Sequence, residues 1–113
     1  MSRPAINVLC TAWLLAFLGV VTTTHVVAAE QVVSQKGKTF SAKKLKVKVG
    51  DSVKFVNDDP FSHNVFSLSA AKSFDLGSYP QGGAKSVTFD KAGLVDIECA
   101  IHPDMKLTIE VEK

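Results

Sequence analysis

The last third of the chain alternates with a period of two, and this limits its fold more than any other feature. Val95, Ile97 and Cys99 fall on one face of an extended segment, and Met105, Leu107, Ile109 and Val111 on one face of the next. Successive side chains of a strand point to opposite faces, so each segment has an apolar face that must be buried. The same alternation, with lysine outward, runs through Lys44-Leu45-Lys46-Val47-Lys48-Val49. A period of two points to strands.

Further short strands are expected from Glu30 to Val33, at Thr39-Phe40, and from Ser52 to Val56, His63 to Leu68 and Lys85 to Phe89. Leu94 to Cys99 and Met105 to Val111 complete the set. Gly50-Asp51, Asn57-Asp58-Asp59-Pro60 and Asp90-Lys91-Ala92-Gly93 are turn signals between them. Residues 69–84 carry Ser69, Ser73, Gly77, Ser78, Pro80, Gly82 and Gly83. They read as an irregular excursion, with one helical turn around Ala70 to Lys72. Seven or eight short strands at this spacing make an all-β sandwich or small barrel. Lys44, Lys46 and Lys48 read as the solvated face of an edge strand, where lysine discourages strand-to-strand aggregation. The competing reading is a docking stripe for an acidic partner.

The first 29 residues stand apart from this pattern. Arg3 supplies a short positive region, and an apolar run from Val8 through Val21 follows. Thr22, Thr23 and Thr24 lead to Val27-Ala28-Ala29, a small-x-Ala cleavage site. This is the anatomy of a secretory signal peptide, cleaved after Ala29 or, as the near alternative, after Ala28. The apolar core falls short of the ~20 residues that a membrane anchor needs. A lipoprotein reading through Cys10 fails, because the hydrophobic core follows that cysteine. The leader implies a periplasmic or otherwise exported product, a single domain of residues 30–113 with no stable membrane insertion, expected to act as a monomer.

Cleavage changes the composition that matters. The 113-residue chain carries 13 Lys+Arg against 11 Asp+Glu, and its only arginine, Arg3, leaves with the leader. So slight a basic excess argues against nucleic-acid binding. The length excludes a dinucleotide fold with a separate substrate domain. Cys99 becomes the only cysteine, so no internal disulfide staples the domain. Domains this small are marginal on core burial alone, and a bound metal is one substitute.

The remaining donors converge. Strand parity places Cys99 and Met105 at the two mouths of a tight loop, both facing inward, with His102 at its midpoint beside Pro103. His63 lies on another strand, next to the break at Asp58 to Phe61. These four are the only His, Cys and Met left after cleavage. Thiolate and thioether are soft and suit Cu(I), while imidazole accepts both copper oxidation states. Two His and one Cys in a plane, with a weak axial Met, form the blue-copper arrangement. Structural zinc sites use four Cys or His ligands, and Met is not among the usual ones. A Cys99–His102 nucleophile pair would leave His63 and Met105 without a role. Burial as ordinary core would have to explain all four at once.

With these residues the chain resembles the cupredoxins, the type-1 blue copper proteins, across Gly37 to Val111. The Cys-x2-His-x2-Met loop with Pro after the His is most like the amicyanin branch. It is a short version of the loop seen in plastocyanin and pseudoazurin. Ser62-His63-Asn64-Val65 is similar to the family's first-histidine segment. The resemblance implies an eight-stranded Greek-key sandwich and one copper held by His63, Cys99, His102 and Met105. It also implies that Asn64 ties the first-histidine strand to the Cys loop and hydrogen-bonds near the Cys99 sulfur. The expected activity is one-electron transfer between redox partner proteins docking near His102, Ile101 and Pro103, and no bond-making catalysis. Asp104 departs from the family by placing a carboxylate in that apolar patch. The rival is a copper-binding protein for tolerance or delivery, which would share fold and ligands. The chain lacks the extra Met or His motifs that labile Cu(I) handling favours.

Overall fold

The period-two segments become strands of two facing sheets. The computed structural model describes residues 2–5, 14–24 and 27–113. Part of the leader's apolar run, with Cys10 and Trp13, and also Met1 and His25, lie outside the described residues. Among the described residues no helix is long and apolar enough to cross a membrane. The strands are β1 (Glu30–Lys36), β2 (Thr39–Phe40), β3 (Lys44–Lys48), β4 (Ser52–Asn57), β5 (His63–Ser69), β6 (Lys72–Tyr79), β7 (Ala84–Thr88), β8 (Gly93–Cys99) and β9 (Lys106–Glu112). One sheet has the order β2-β1-β4-β7 and the other β3-β9-β8-β5-β6. The pairs β1–β4 and β3–β9 are parallel, and all other pairs are antiparallel.

The two inner faces form one core. Val33, Val53 and Phe55 come from the first sheet, and Val65, Val95, Ile97, Leu107 and Ile109 from the second, with Phe89 just past the end of β7. Each such side chain, fully buried, contributes about 1.5–3 kcal/mol from the apolar surface it removes from water. The alternation expected for the last two strands holds: Val95, Ile97 and Cys99 point in, as do Leu107, Ile109 and Val111. β3 is an edge strand, with Lys44, Lys46 and Lys48 exposed. Lys46 makes only a surface ion pair with Glu112, at 3.7 Å. Such pairs contribute little.

One expectation fails. Residues 72–79 are not an irregular excursion but a strand, β6, paired antiparallel to β5. The helical turn expected at Ala70 to Lys72 is instead a two-residue hairpin turn, Ala70-Ala71. The strand escapes a period-two reading because its frame shifts. Phe74 and Leu76 pack on the core, but the next inward residue is Tyr79, an odd number further on. The slip is a β-bulge opposite Val65, between the pairs Asn64–Ser78 and Phe66–Asp75. Gly77 supplies the left-handed backbone there, with φ of 70°.

Candidate metal centre

The site forms where β5, β8 and the loop between β8 and β9 meet. Val65 pairs with Cys99 across β5 and β8, so His63, two residues back on the same face, is a diagonal neighbour of Cys99. His102 is carried by a tight turn in which the Met105 N–H donates to the His102 carbonyl at 3.0 Å. Pro103 occupies the second position of that turn, which its fixed φ suits. The turn returns the chain inward at Met105, which is 1% exposed. His63 is fully buried and His102 half-buried.

Three donor atoms converge. The Cys99 sulfur lies 3.7 Å from Nδ1 of His63 and 3.8 Å from Nδ1 of His102. The two Nδ1 atoms are 3.2 Å apart. A circle through the three atoms has a radius of about 2.1 Å, within the ~2.0–2.3 Å range of metal bonds to imidazole nitrogen and thiolate sulfur. The donor chemistry and this spacing fit copper, and His63, Cys99 and His102 form a group able to hold a metal ion. Met105 is buried at the base of the same loop.

The outer contacts are specific. Nε2 of His63 is 2.7 Å from Oδ2 of Asp59. A neutral ring therefore donates its proton to that carboxylate and turns the Nδ1 lone pair toward the site. Asp59 also accepts the N–H groups of Gly37 at 2.7 Å and Lys38 at 3.1 Å. Burial alone pushes the Asp59 carboxyl up. The hydrogen bonds from His63, Gly37 and Lys38 outweigh that and hold it below the usual carboxylate range. Asn57 shapes the loop that carries Asp59: its amide donates to the carbonyls of Phe61 and Tyr79, and its side-chain oxygen accepts the Asp59 N–H. The Phe61 ring lies 5.3 Å, centroid to centroid, from each of the two imidazoles.

Asn64 lies next to His63 on β5. Its backbone carbonyl accepts the Ala100 N–H at 3.2 Å, which ties the first-histidine strand to the Cys loop. Its buried side-chain oxygen has no hydrogen-bond partner among the described residues. The sequence reading missed Asp59 and Asn57 as site residues, taking them only as a strand break. The available signal was a carboxylate four residues before a metal-capable histidine.

Two facing sheets with a buried His2Cys triangle at one end define a type-1 copper protein as the class to which fold and site correspond. The profile of copper binding proteins of the plastocyanin/azurin family matches residues 27–112, and the chain belongs to that family. It is 34% identical over 68 residues to the methylamine utilization protein MauL of Methylorubrum extorquens, covering 59% of this chain and 60% of MauL. It is 34% identical over 80 residues to amicyanin of Paracoccus denitrificans, covering 65% of this chain and 58% of that protein. The chain thus spans about three-fifths of the length of these curated relatives. A solved Cu(I) form of an amicyanin mutant superposes with a TM-score of 0.68 at 29% identity, over 74% of this chain and 82% of that one. The Cu-containing nitrite reductase of Thermus scotoductus superposes with a TM-score of 0.71 at 28% identity, over 82% of this chain but 24% of the reductase.

Proposed function

We propose that this protein is an exported one-electron carrier in which His63, Cys99, His102 and Met105 would hold copper. The observation that carries the reading is the donor triangle of Cys99 and the two Nδ1 atoms, 3.2–3.8 Å on a side, at the end of a packed sandwich. Copper bound there would supply a Cu(II)/Cu(I) couple for one-electron exchange with partner proteins. Four protein donors leave no open position for a substrate, so the site suits electron transfer and not bond-making catalysis. Cys99 and His63 are fixed by sheet pairing, which keeps their positions similar in both oxidation states. His102 reaches toward the surface, where Phe61 is 38% and Ile101 50% exposed beside exposed Pro103. That patch is the proposed docking face for both redox partners. The names of the relatives, amicyanin and a methylamine utilization protein, support an electron-carrier role.

The N-terminal segment, up to Ala28 or Ala29, is read as a leader that directs the protein to the periplasm. The Ala29 carbonyl accepts the Ser52 N–H at 2.9 Å, and the Ala29 N–H donates to Asp51 at 3.0 Å. These bonds support cleavage after Ala28, which would give the sheet an α-ammonium group at Asp51. Intact mass of the exported protein distinguishes this from cleavage after Ala29.

Titration of the purified protein with Cu(II) tests the reading. A carrier binds one copper per chain, shows an intense thiolate-to-copper band in the visible, and gives a reversible one-electron wave in voltammetry. Bound Cu(II) without that band overturns the site. Rapid loss of copper to a competing chelator in the reduced state would instead indicate tolerance or delivery.

A further inference from the structure

Asp59 is a buried anion with an unusually complete set of partners. It is 4% exposed, yet it receives three donors: Nε2 of His63 and the backbone N–H groups of Gly37 and Lys38. A buried charge is costly unless it is paired and hydrogen-bonded. Two of its three donors come from the turn between β1 and β2, far in sequence from the metal loop. Lys38 holds a left-handed backbone, with φ of 58°, that few non-glycine residues adopt. The same turn reaches the site a second way, because the Lys38 ammonium lies 5.7 Å above the Phe61 ring that packs on both histidines.

We propose that Asp59 is a positioning residue of the copper site, held in place by the Gly37-Lys38 turn, and that this pair biases the bound copper toward Cu(II). The proposal deepens the electron-carrier reading and rests on His63 being a ligand. Its physical basis has two parts. The carboxylate fixes the His63 tautomer and ring plane, as outer-sphere carboxylates do at other metal-bound histidines. It also places a full negative charge one imidazole away from the metal, where burial limits screening, and a negative charge favours the more positive oxidation state. A merely structural staple between the turn and the loop at residues 57–61 would affect stability but not the redox preference.

Asp59→Asn separates these roles. The amide keeps the shape and one acceptor for His63 but removes the charge. The expected result is a visible band that persists and a reduction potential that rises. A tenfold shift toward Cu(I), ~59 mV for one electron, is the scale to look for. Gly37→Ala, at a φ of 64° that disfavours a side chain, should displace the turn and move the potential in the same direction by less. An unchanged potential in Asp59→Asn, with the band intact, overturns the proposal and leaves the electron-carrier reading standing. A Gly37→Ala variant that loses stability without a potential shift overturns the role of the turn. Absence of the band in the unmodified protein removes both the reading and the proposal. If Asp59→Asn does not fold, nitrogen-15 NMR of the unmodified apoprotein decides. His63 should carry its proton on Nε2 in slow exchange with water, and a ring protonated on Nδ1 alone overturns the assignment.

Discussion

A hydroxyl in place of the Cys99 sulfur would preserve the strand end but remove the soft, charge-donating sulfur from the donor triangle. Cys99→Ser is therefore expected to abolish the visible band, and an unchanged spectrum would show that Cys99 does not bind the metal. Met105 invites the opposite expectation. It is buried at the loop base, and leucine has a similar volume, so Met105→Leu should cost less than about 1.5 kcal/mol of folding stability. If Met105 is the weak thioether ligand proposed, that variant should keep copper and its colour while its potential shifts. Complete loss of copper from Met105→Leu, measured by metal analysis after dialysis, would make Met105 a principal ligand instead. Both residues were legible in the sequence, because their places on alternating strands point them into one end of the core. Asp59 was not, since its contact with His63 depends on how a four-residue break folds back. Neither hydrophobic period nor composition encodes that path.

Elements show the same division. β8 and β9 were readable because every second residue is apolar and the sheet buries that face. β6 was hidden by a one-residue slip at its bulge, which cancels the alternation although the pairing continues. The link between β3 and β4 holds another contact that a turn signal does not reveal. Asp51, read only as half of Gly50-Asp51, accepts the Lys48 N–H at 2.8 Å and the Ala29 N–H at 3.0 Å. These bonds, first that from Lys48 and then that from Ala29, hold its carboxyl below the ordinary range against the opposing effect of burial. The folded value thus lies below the unfolded one, near ~3.9. The stabilising contribution is present above the unfolded value and is lost as pH falls through the folded one. Asp51→Asn should accordingly lower the melting temperature of the apoprotein at neutral pH, and the gap to the unmodified protein should narrow as acid is added toward about pH 2. Thermal unfolding followed across that range checks it, and a gap independent of pH would mean that the carboxylate charge is not what the Lys48 and Ala29 nitrogens hold.

At the scale of the whole molecule, the decisive fact is that a small sandwich carries a single free, buried cysteine among its described residues. With no disulfide among the described residues, the fold depends on its two-sheet core, and the metal end of that core buries the polar His63. A ligand that binds only the folded state stabilises it by RT ln(1 + [L]/Kd), about 2.7 kcal/mol at a hundredfold excess over Kd. For a domain of 60–100 residues, each kcal/mol moves the melting temperature by roughly 4–8 °C. Copper at that excess should thus raise the melting temperature by about 10–20 °C over the apoprotein. The rise should be smaller if the unfolded chain also binds copper through Cys99. The apoprotein should still unfold cooperatively, because Val53, Phe55, Ile97 and Ile109 belong to one buried core shared by the two sheets. Calorimetry with and without copper measures the shift, and Cys99→Ser should lose most of it while keeping a melting temperature near that of the apoprotein. Equal melting temperatures for the two forms would mean that copper binds the folded chain no better than the unfolded one, and the donor triangle would then not be its site.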